Sequence, residues 1–583
     1  MFLKKARKTY KGKVYETYAL TESYREGGKV KHRHIANLGS LSQEQVQRIR
    51  LVLKAKQVED AFVGRLSDVV AKEHYRFLDV AVLDDIWQQF ALDQFFKGLP
   101  YAEAMVINRC IAPKSKIRIQ EWTQHTILPR LMEFDFGAES EYSVYRTLDK
   151  IADLEEELQQ HIYQKYSQQG HTNEKAIFYD ITSSYFEGTK CILASRGYSR
   201  DHRSDRPQVT IGLVVTPDGY PFYWQVMPGN TQDITTVEAL LLVLKERFGI
   251  EECLLVFDRG MVSRDNLKAI AKKKLSYVSA LDKNEIPVNE LLDSDFKSLV
   301  EDEDQWQKNL LSRGFQPYDK NLIYREHSIE DIRYILAFNR QAFQDQRLNR
   351  NQRLLKAKSY LEELNQELLH AKKSRKEETT ARKIENKLQN WKLHKILNWQ
   401  LEPKTLTVTT KKGKKRKVNS FQVVYTVDEQ QLQQQALLDG LTCFVTNHPS
   451  DKLSAKRVIQ YYRRKNKVEE AFRELKSYLH LRPFYLHREK RVRAHVTVCV
   501  LGYLLLNALE DRLYQQDSAT SAPEALEILG RCLVNRLGLK KDSAYSESIT
   551  EVTQEQVTIL EGLGLKHLIT NKYLNNILEH SSM

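Results

Sequence analysis

Three carboxylates stand where their chemistry needs an explanation. Asp180 interrupts the apolar run AIFYDIT, and Asp258 closes LLVFD. An unpaired carboxylate on an apolar strand is costly to bury, so it sits at a strand end, caps a neighbour or binds a cation. Each alone reads equally well as structural; on neighbouring strands the two together can hold divalent cations. The third, Glu469, lies beside Glu470 in YYRRKNKVEEAFRELK. At about 100° per residue of helix, Tyr462, Lys465, Arg473 and Lys476 all fall within about 40° of Glu469. Val468, Ala471, Phe472 and Leu475 form the adjoining apolar stripe, while Glu470 turns away from both. Glu469 is thus expected at the seam between core and basic face, and Glu470 in solvent. Taken alone, the same helix also reads as an amphipathic one with a Glu469–Arg473 ion pair.

Asp, Asp and Glu are the oxygen donors that Mg²⁺ prefers, with no need of His or Cys. Two such ions about 3.5 to 4 Å apart stabilise the attacking and leaving oxygens at phosphorus. Lys465, Arg473 and Lys476 would neutralise DNA phosphates, and Tyr462 would hydrogen-bond one or stack on a base. A second basic stretch, KKGKKRKVNS, lies between the strand-like TLTVTT and FQVVYTV. It offers Lys414, Lys415, Arg416 and Lys417 as phosphate contacts, against the plainer reading of a solvated loop. With 90 Lys and Arg against 76 Asp and Glu, the net charge of +14 favours a polyanionic partner.

Six scattered cysteines form no C-x-x-C, which argues against a disulfide framework or zinc knuckle and fits a reducing cytoplasm. The basic start has no apolar run behind it. The most apolar stretch, VTVCVLGYLLLNAL from Val496, is short and flanked by charge, so it reads as a buried core helix of a soluble protein without a membrane role.

The elements that must position these groups follow from periodicity. KVYETYALTESYR and KVKHRHIANLG alternate as strands around Glu26-Gly27-Gly28, and Ser42 with Gln45 caps a helix running to about Val58. Residues 1–70 form a basic strand meander plus helix for recognising DNA ends, and 71–170 a helical domain. From Lys175 the period changes: three strands, then helix, strand, helix, strand, the last being LSYVSALDK. That is the order of an RNase H-like mixed sheet flanked by helices, with its first part at 171–283 and its second at 441–515. Between them, 284–440 is an insertion domain of a helical hairpin, with Leu354, Leu361, Leu364 and Leu368 at heptad-like spacing, plus strands. One helix runs from Ser450 to about Ser477, and 516–583 is a C-terminal helical region. The fold class is α/β, with an N-terminal α+β part and C-terminal helical parts.

The spacing Tyr462-x2-Lys465-x3-Glu469-x6-Lys476 resembles the Y-x2-R-x3-E-x6-K signature of transposases of the insertion-sequence four superfamily. The segments AFRELKSYLHLRPFY, DGLTCFVTN and ESYREGGKVKHRHIANLG are similar to its sixteen-thirty-four branch, and the resemblance covers about residues 10 to 515. It implies a bacterial DDE transposase whose RNase H-like core is interrupted between the second Asp and the Glu. Asp180, Asp258 and Glu469 match the catalytic carboxylates that bind two Mg²⁺ ions, replaceable by Mn²⁺. Tyr462 and Lys476 match signature positions that contact DNA. Lys465 departs from the signature Arg, keeping its charge without its bidentate fork. The resemblance further implies cut-and-paste transposition: cleavage at terminal inverted repeats of double-stranded DNA and strand transfer into target DNA. A homodimer in a synaptic complex, acting in the nucleoid-associated cytoplasm, would do this. Two other readings stay open here, an RNase H-fold nuclease or resolvase without strand transfer and a catalytically inactive transposase-derived DNA-binding protein. A paired-carboxylate glycosidase leaves the basic stripe unexplained.

Overall fold

The protein is represented by a computed structural model that describes residues 1–55, 69–171, 174–187, 190–409, 414–516, 518–539 and 545–579. It divides into two units, Met1–Leu148 with Leu505–Met583, and Asp149–Leu504.

The first unit opens with β1 (Phe2–Tyr10), β2 (Lys13–Glu26) and β3 (Lys29–Gly39), an antiparallel meander that turns at Gly12 and at Gly27-Gly28. All three glycines have positive φ, as tight hairpin turns require. The meander buries little: Leu3 and Tyr18 pack on Val46 of α1 (Gln43–Ala55). The expected capping box is present, since Gln45 N–H donates to Ser42 Oγ and Ser42 N–H to Gln45 Oε1. The expected continuation of α1 to Val58 lies outside the described residues. Next comes β4 (Val69–Arg76), a strand within a stretch expected to be helical, followed by the apolar helices α2 (Leu78–Gln89) and α3 (Pro100–Ile111).

The second unit is built on one nine-stranded mixed sheet. Third from one edge is β5 (Ala176–Tyr185), flanked on that side by β6 (Gln208–Val215) and then by the edge strand β7 (Pro221–Pro228), each antiparallel to its neighbour. On the other side lie β8 (Leu254–Phe257) and β9 (Ser276–Ala280), both parallel to β5. The five run β7-β6-β5-β8-β9, consistent with the RNase H-like order expected from the sequence. β5, β6 and β8 read as nearly continuous apolar runs because both faces of the sheet are covered. The covering helices include α4 (Val237–Glu246) and α5 (Arg264–Lys272).

The sheet continues past β9. β10 (Gln316–Pro317), β11 (Leu322–Ile329) and β12 (Ile332–Asn339) form its far edge, so part of the stretch expected as an insertion lengthens the sheet itself. The rest makes a second core. The long α6 (Arg340–Leu369) and α7 (Glu377–Asn390) place Leu361, Leu364, Leu368, Ile384 and Leu388 against Phe421 and Val423 of a hairpin. That hairpin is β13 (Leu397–Thr409) and β14 (Lys415–Val427), paired antiparallel along their whole length. β15 (Leu441–Thr446) then returns to the large sheet between β12 and β9.

The chain ends in elements of the first unit. β16 (Leu533–Leu539) pairs with β4, and β17 (Tyr545–Ile549) pairs with β16. This corrects the expectation of a wholly helical C-terminal region: the strands are short and their partner is far away in sequence, so local periodicity does not reveal them. The apolar stretch from Val496 lies in the helix Glu489–Tyr514, which is long and apolar enough to cross a membrane by length and composition, but its most apolar window is 89% buried.

The return of the chain to β15 is fastened by a buried ion pair. Arg350 on α6 donates 2.7 Å to Asp439 just before β15, and the two side chains are 8% and 3% exposed. Removing one partner strands the other charge in the interior. Asp439→Ala is therefore expected to cost the second unit about 3–5 kcal/mol, read as a lower urea midpoint, whereas an unchanged midpoint would show that the pair carries no stability.

Candidate active site

The site begins with strand register. Phe178 pairs with Val256 and Tyr179 with Phe257 on the parallel strands β5 and β8. One residue further along the chain come Asp180, still on β5, and Asp258, just past the end of β8. β8 stops at Phe257, so Asp258 stands at the strand end and opens the turn Arg259–Met261. Asp180 is one of only two positions on β5 that are not fully buried, and its Oδ1 accepts a 2.8 Å hydrogen bond from Ile181 N–H.

Glu469 arrives on a helix packed against β5 and β6. The expected single helix from Ser450 to Ser477 is instead two, α8 (Ala455–Arg464) and α9 (Asn466–Lys476), broken at Lys465. At the break, Lys465 N–H donates to the Tyr462 carbonyl and Val468 N–H to the Lys465 carbonyl, a three-residue spacing tighter than an α-helix. No Gly or Pro marks it in the sequence. Val468, Ala471, Phe472 and Leu475 are buried as the helical stripe requires. Glu470 is half-buried and 3.5 Å from Lys467, and Glu469 is the more exposed of the two, its side chain 53% accessible against 44%.

Asp180, Asp258 and Glu469 line one open cleft of about 590 Å³, together with Tyr462, Lys465, Arg200, Asp233 and Arg259. Lys465 lies at its electrostatic centre. Its ammonium donates 2.5 Å to Glu469 Oε1 and lies 3.3 Å from Asp258 Oδ1, and the side chain is only 7% exposed. Burial works against its charge, but Asp258, the Glu469 hydrogen bond and Asp180 together outweigh it, so its pKa is raised. Burial also pushes the Asp180 carboxyl up to about 6; Lys465 and the Ile181 N–H oppose that shift, while Asp258 and Glu469 add to it. Glu469 thus bonds back to Lys465, one turn earlier, rather than forming the Arg473 pair considered above.

The remaining candidates are placed differently. Tyr462 packs edge-on against Phe444, and its hydroxyl donates 3.4 Å to Asp258 Oδ1. Arg473 is exposed and does not line the cleft. Lys476 is turned inward, 12% exposed, its ammonium 2.8 Å from Asp201 Oδ1. Arg464 faces Glu174 at 2.9 Å. Lys415, Arg416 and Lys417 begin β14 and, with Lys414, are exposed on the hairpin outside the cleft; the rest of the basic tip falls outside the described residues. Arg200, Asp233 and Arg259 lie in turns that no periodicity flags; the density of arginine in ASRGYSRDHRSDR is a sequence signal for Arg200 alone.

The donor set suits a hard divalent cation, being all carboxylate oxygen. Among the described residues no three His, Cys, Asp or Glu side chains are close enough to grip one ion together. Asp258 and Glu469 instead close on the Lys465 ammonium, a cation standing where these carboxylates converge.

Two family profiles match the chain, the IS1634 family transposase N-terminal domain over residues 3–62 and the transposase DDE domain over residues 171–505, more than half of its length. No curated protein matches it.

The raised Asp180 pKa has a signed consequence. The stability tied to its protonated form is complete below the ordinary carboxylate value and is lost as pH rises through about 6. Asp180→Asn is therefore expected to raise the thermal midpoint of metal-free protein, relative to wild type, more at pH 8 than at pH 4.5. Equal shifts at the two pH values would count against a buried, pKa-raised carboxyl.

Proposed function

The chain belongs to the IS1634 family of DDE transposases, which act on DNA, and from that premise we propose that it moves an insertion sequence by cut and paste. It cleaves double-stranded DNA at the terminal inverted repeats and transfers the freed ends into target DNA. The reading rests above all on Asp180 and Asp258, each one residue past the paired Tyr179 and Phe257 of adjacent parallel strands, lining one cleft with Glu469. The central strand order supports an RNase H-like core around them.

DDE transposases generally use divalent metal ions. In this chain Asp180, Asp258 and Glu469 would hold them, two Mg²⁺ ions with Mn²⁺ as a substitute. Such ions supply charge stabilisation to the attacking and leaving oxygens at phosphorus. The protein's own groups do the rest. Tyr462 hydrogen-bonds Asp258 and orients it. Lys465 neutralises the carboxylates and, being a point charge without the planar fork of Arg, can exchange partners among them and a phosphate. The exposed Arg473, with Lys414 and the basic start of β14, Lys415 to Lys417, would contact the DNA backbone. The N-terminal meander recognises the element ends, and a homodimer in the bacterial cytoplasm brings two ends together.

Asp180→Ala, Asp258→Ala and Glu469→Ala are each expected to abolish Mg²⁺-dependent cleavage of a labelled element end while retaining binding in a gel shift. Glu470→Ala should leave both within about twofold, since Glu470 does not line the cleft and its surface pair with Lys467 is weak. Cleavage surviving in Glu469→Ala would sink the site assignment, and cleavage without strand transfer by wild type would favour a nuclease.

A further inference from the structure

Lys476 was expected to grip DNA, yet its ammonium is already committed. Asp201 Oδ1 takes Lys476 Nζ at 2.8 Å and Arg482 Nη1 at 2.6 Å, and the Asp201 side chain is 2% exposed. A carboxylate buried this deeply is costly unless its cations stay with it. The bridge therefore fixes position: it ties α9, which carries Glu469, to the loop between β5 and β6.

The residue just before Asp201 in that loop is Arg200, which lines the cleft with the three carboxylates. Its backbone N–H donates 2.9 Å to Ser183 Oγ, three residues beyond Asp180 on β5, and its guanidinium bonds Asp233. The loop is closely built. A Cβ on Gly197 would stand 2.2 Å from the Gly229 carbonyl, and Gln208 Nε2 donates to the carbonyls of both Tyr198 and Gly229 at 2.9 Å. A guanidinium has five donors in a rigid fork, so the bond to Asp233 leaves others free for a phosphate oxygen.

We propose that Arg200 is a phosphate-binding residue of the cleft and that Asp201 with Lys476 is the buried clamp that positions it. This rests on the reading of the cleft as a DNA-cleaving site. It assigns the charge of Lys476 to the protein interior and gives the phosphate to an arginine that the spacing of the helix motif does not contain. Asp201 and Lys476 are positioning residues and act through Arg200.

The test uses the full-length protein and a duplex carrying an element end. It measures single-turnover cleavage with Mg²⁺, binding across a salt series, and tryptic cutting of the DNA-free protein within residues 196–206. Arg200→Gln is expected to slow cleavage about 10²-fold, as loss of a charge-stabilising donor does, and to reduce the salt slope by about one. It should leave cutting at Arg203 unchanged. Asp201→Asn and Lys476→Met should each accelerate that cutting and slow cleavage by up to about 10²-fold through misplacement of Arg200. Neither should add further loss to Arg200→Gln. Lys476→Arg, which can keep the bridge, should retain the rate, and it serves as the variant of record if Asp201→Asn does not fold.

The proposal is overturned if Lys476→Met weakens binding while Asp201→Asn preserves or strengthens it, since Lys476 would then touch phosphate itself. It is equally overturned if Arg200→Gln cleaves at the wild-type rate while Asp180→Ala does not cleave, a result that leaves the site assignment intact. Absence of metal-dependent cleavage in wild type would instead overturn the function and the role of Arg200 together.

Discussion

Mutual repulsion among carboxylates is the constraint around which the second unit is arranged. Asp180, Asp258 and Glu469 reach one cleft from two adjacent strands and a helix. The position beside them that would be most costly to leave without charge is filled by the Lys465 ammonium, nearly sealed from solvent. A charge so placed is screened little by salt and holds its partners strongly. The helix break at Lys465 belongs to the same arrangement, because the side chain leaving at the junction of α8 and α9 reaches Asp258 at the end of β8.

The cations of the region divide by depth. Lys465 and Lys476 occupy the spaced positions of the sequence signature, yet both are nearly buried and paired to acids of the protein itself. Arg473 and the head of β14 stay exposed. Arg200 is intermediate, a quarter exposed and tethered through one carboxylate. Charge counted along a sequence therefore overstates what is available to a partner, since an ammonium that neutralises an internal acid contributes nothing to a salt-dependent grip.

Much of the core was legible because it rests on short-range regularity. Apolar runs bounded by turns marked the five strands from β5 to β9, and the helical angle singled out Glu469, which lines the cleft, from Glu470, which does not. The adjacency of Asp180 and Asp258 followed from strand order. What escaped depended on long-range or irregular geometry. β16 closes on β4 from the opposite end of the sequence. The loop carrying Arg200 and Asp201 has no period to read, and its shape comes from a glycine crossing and amide hydrogen bonds. The break at Lys465 has no breaker residue; its side chain is held by acids that come together only in the folded sheet.

The place of β15 bears on how a growing chain reaches its final state. It lies between β9 and β12, both made earlier in synthesis, and hydrogen-bonds to each. Until residues 441–446 leave the ribosome, those two strands present open edges, the kind of surface that recruits stray partners. The same late strand immediately precedes the helices bearing Lys465 and Glu469. Closing the sheet thus precedes its last acid by a short stretch of chain, and a translation product that ends before Glu469 carries two of the acids without the third.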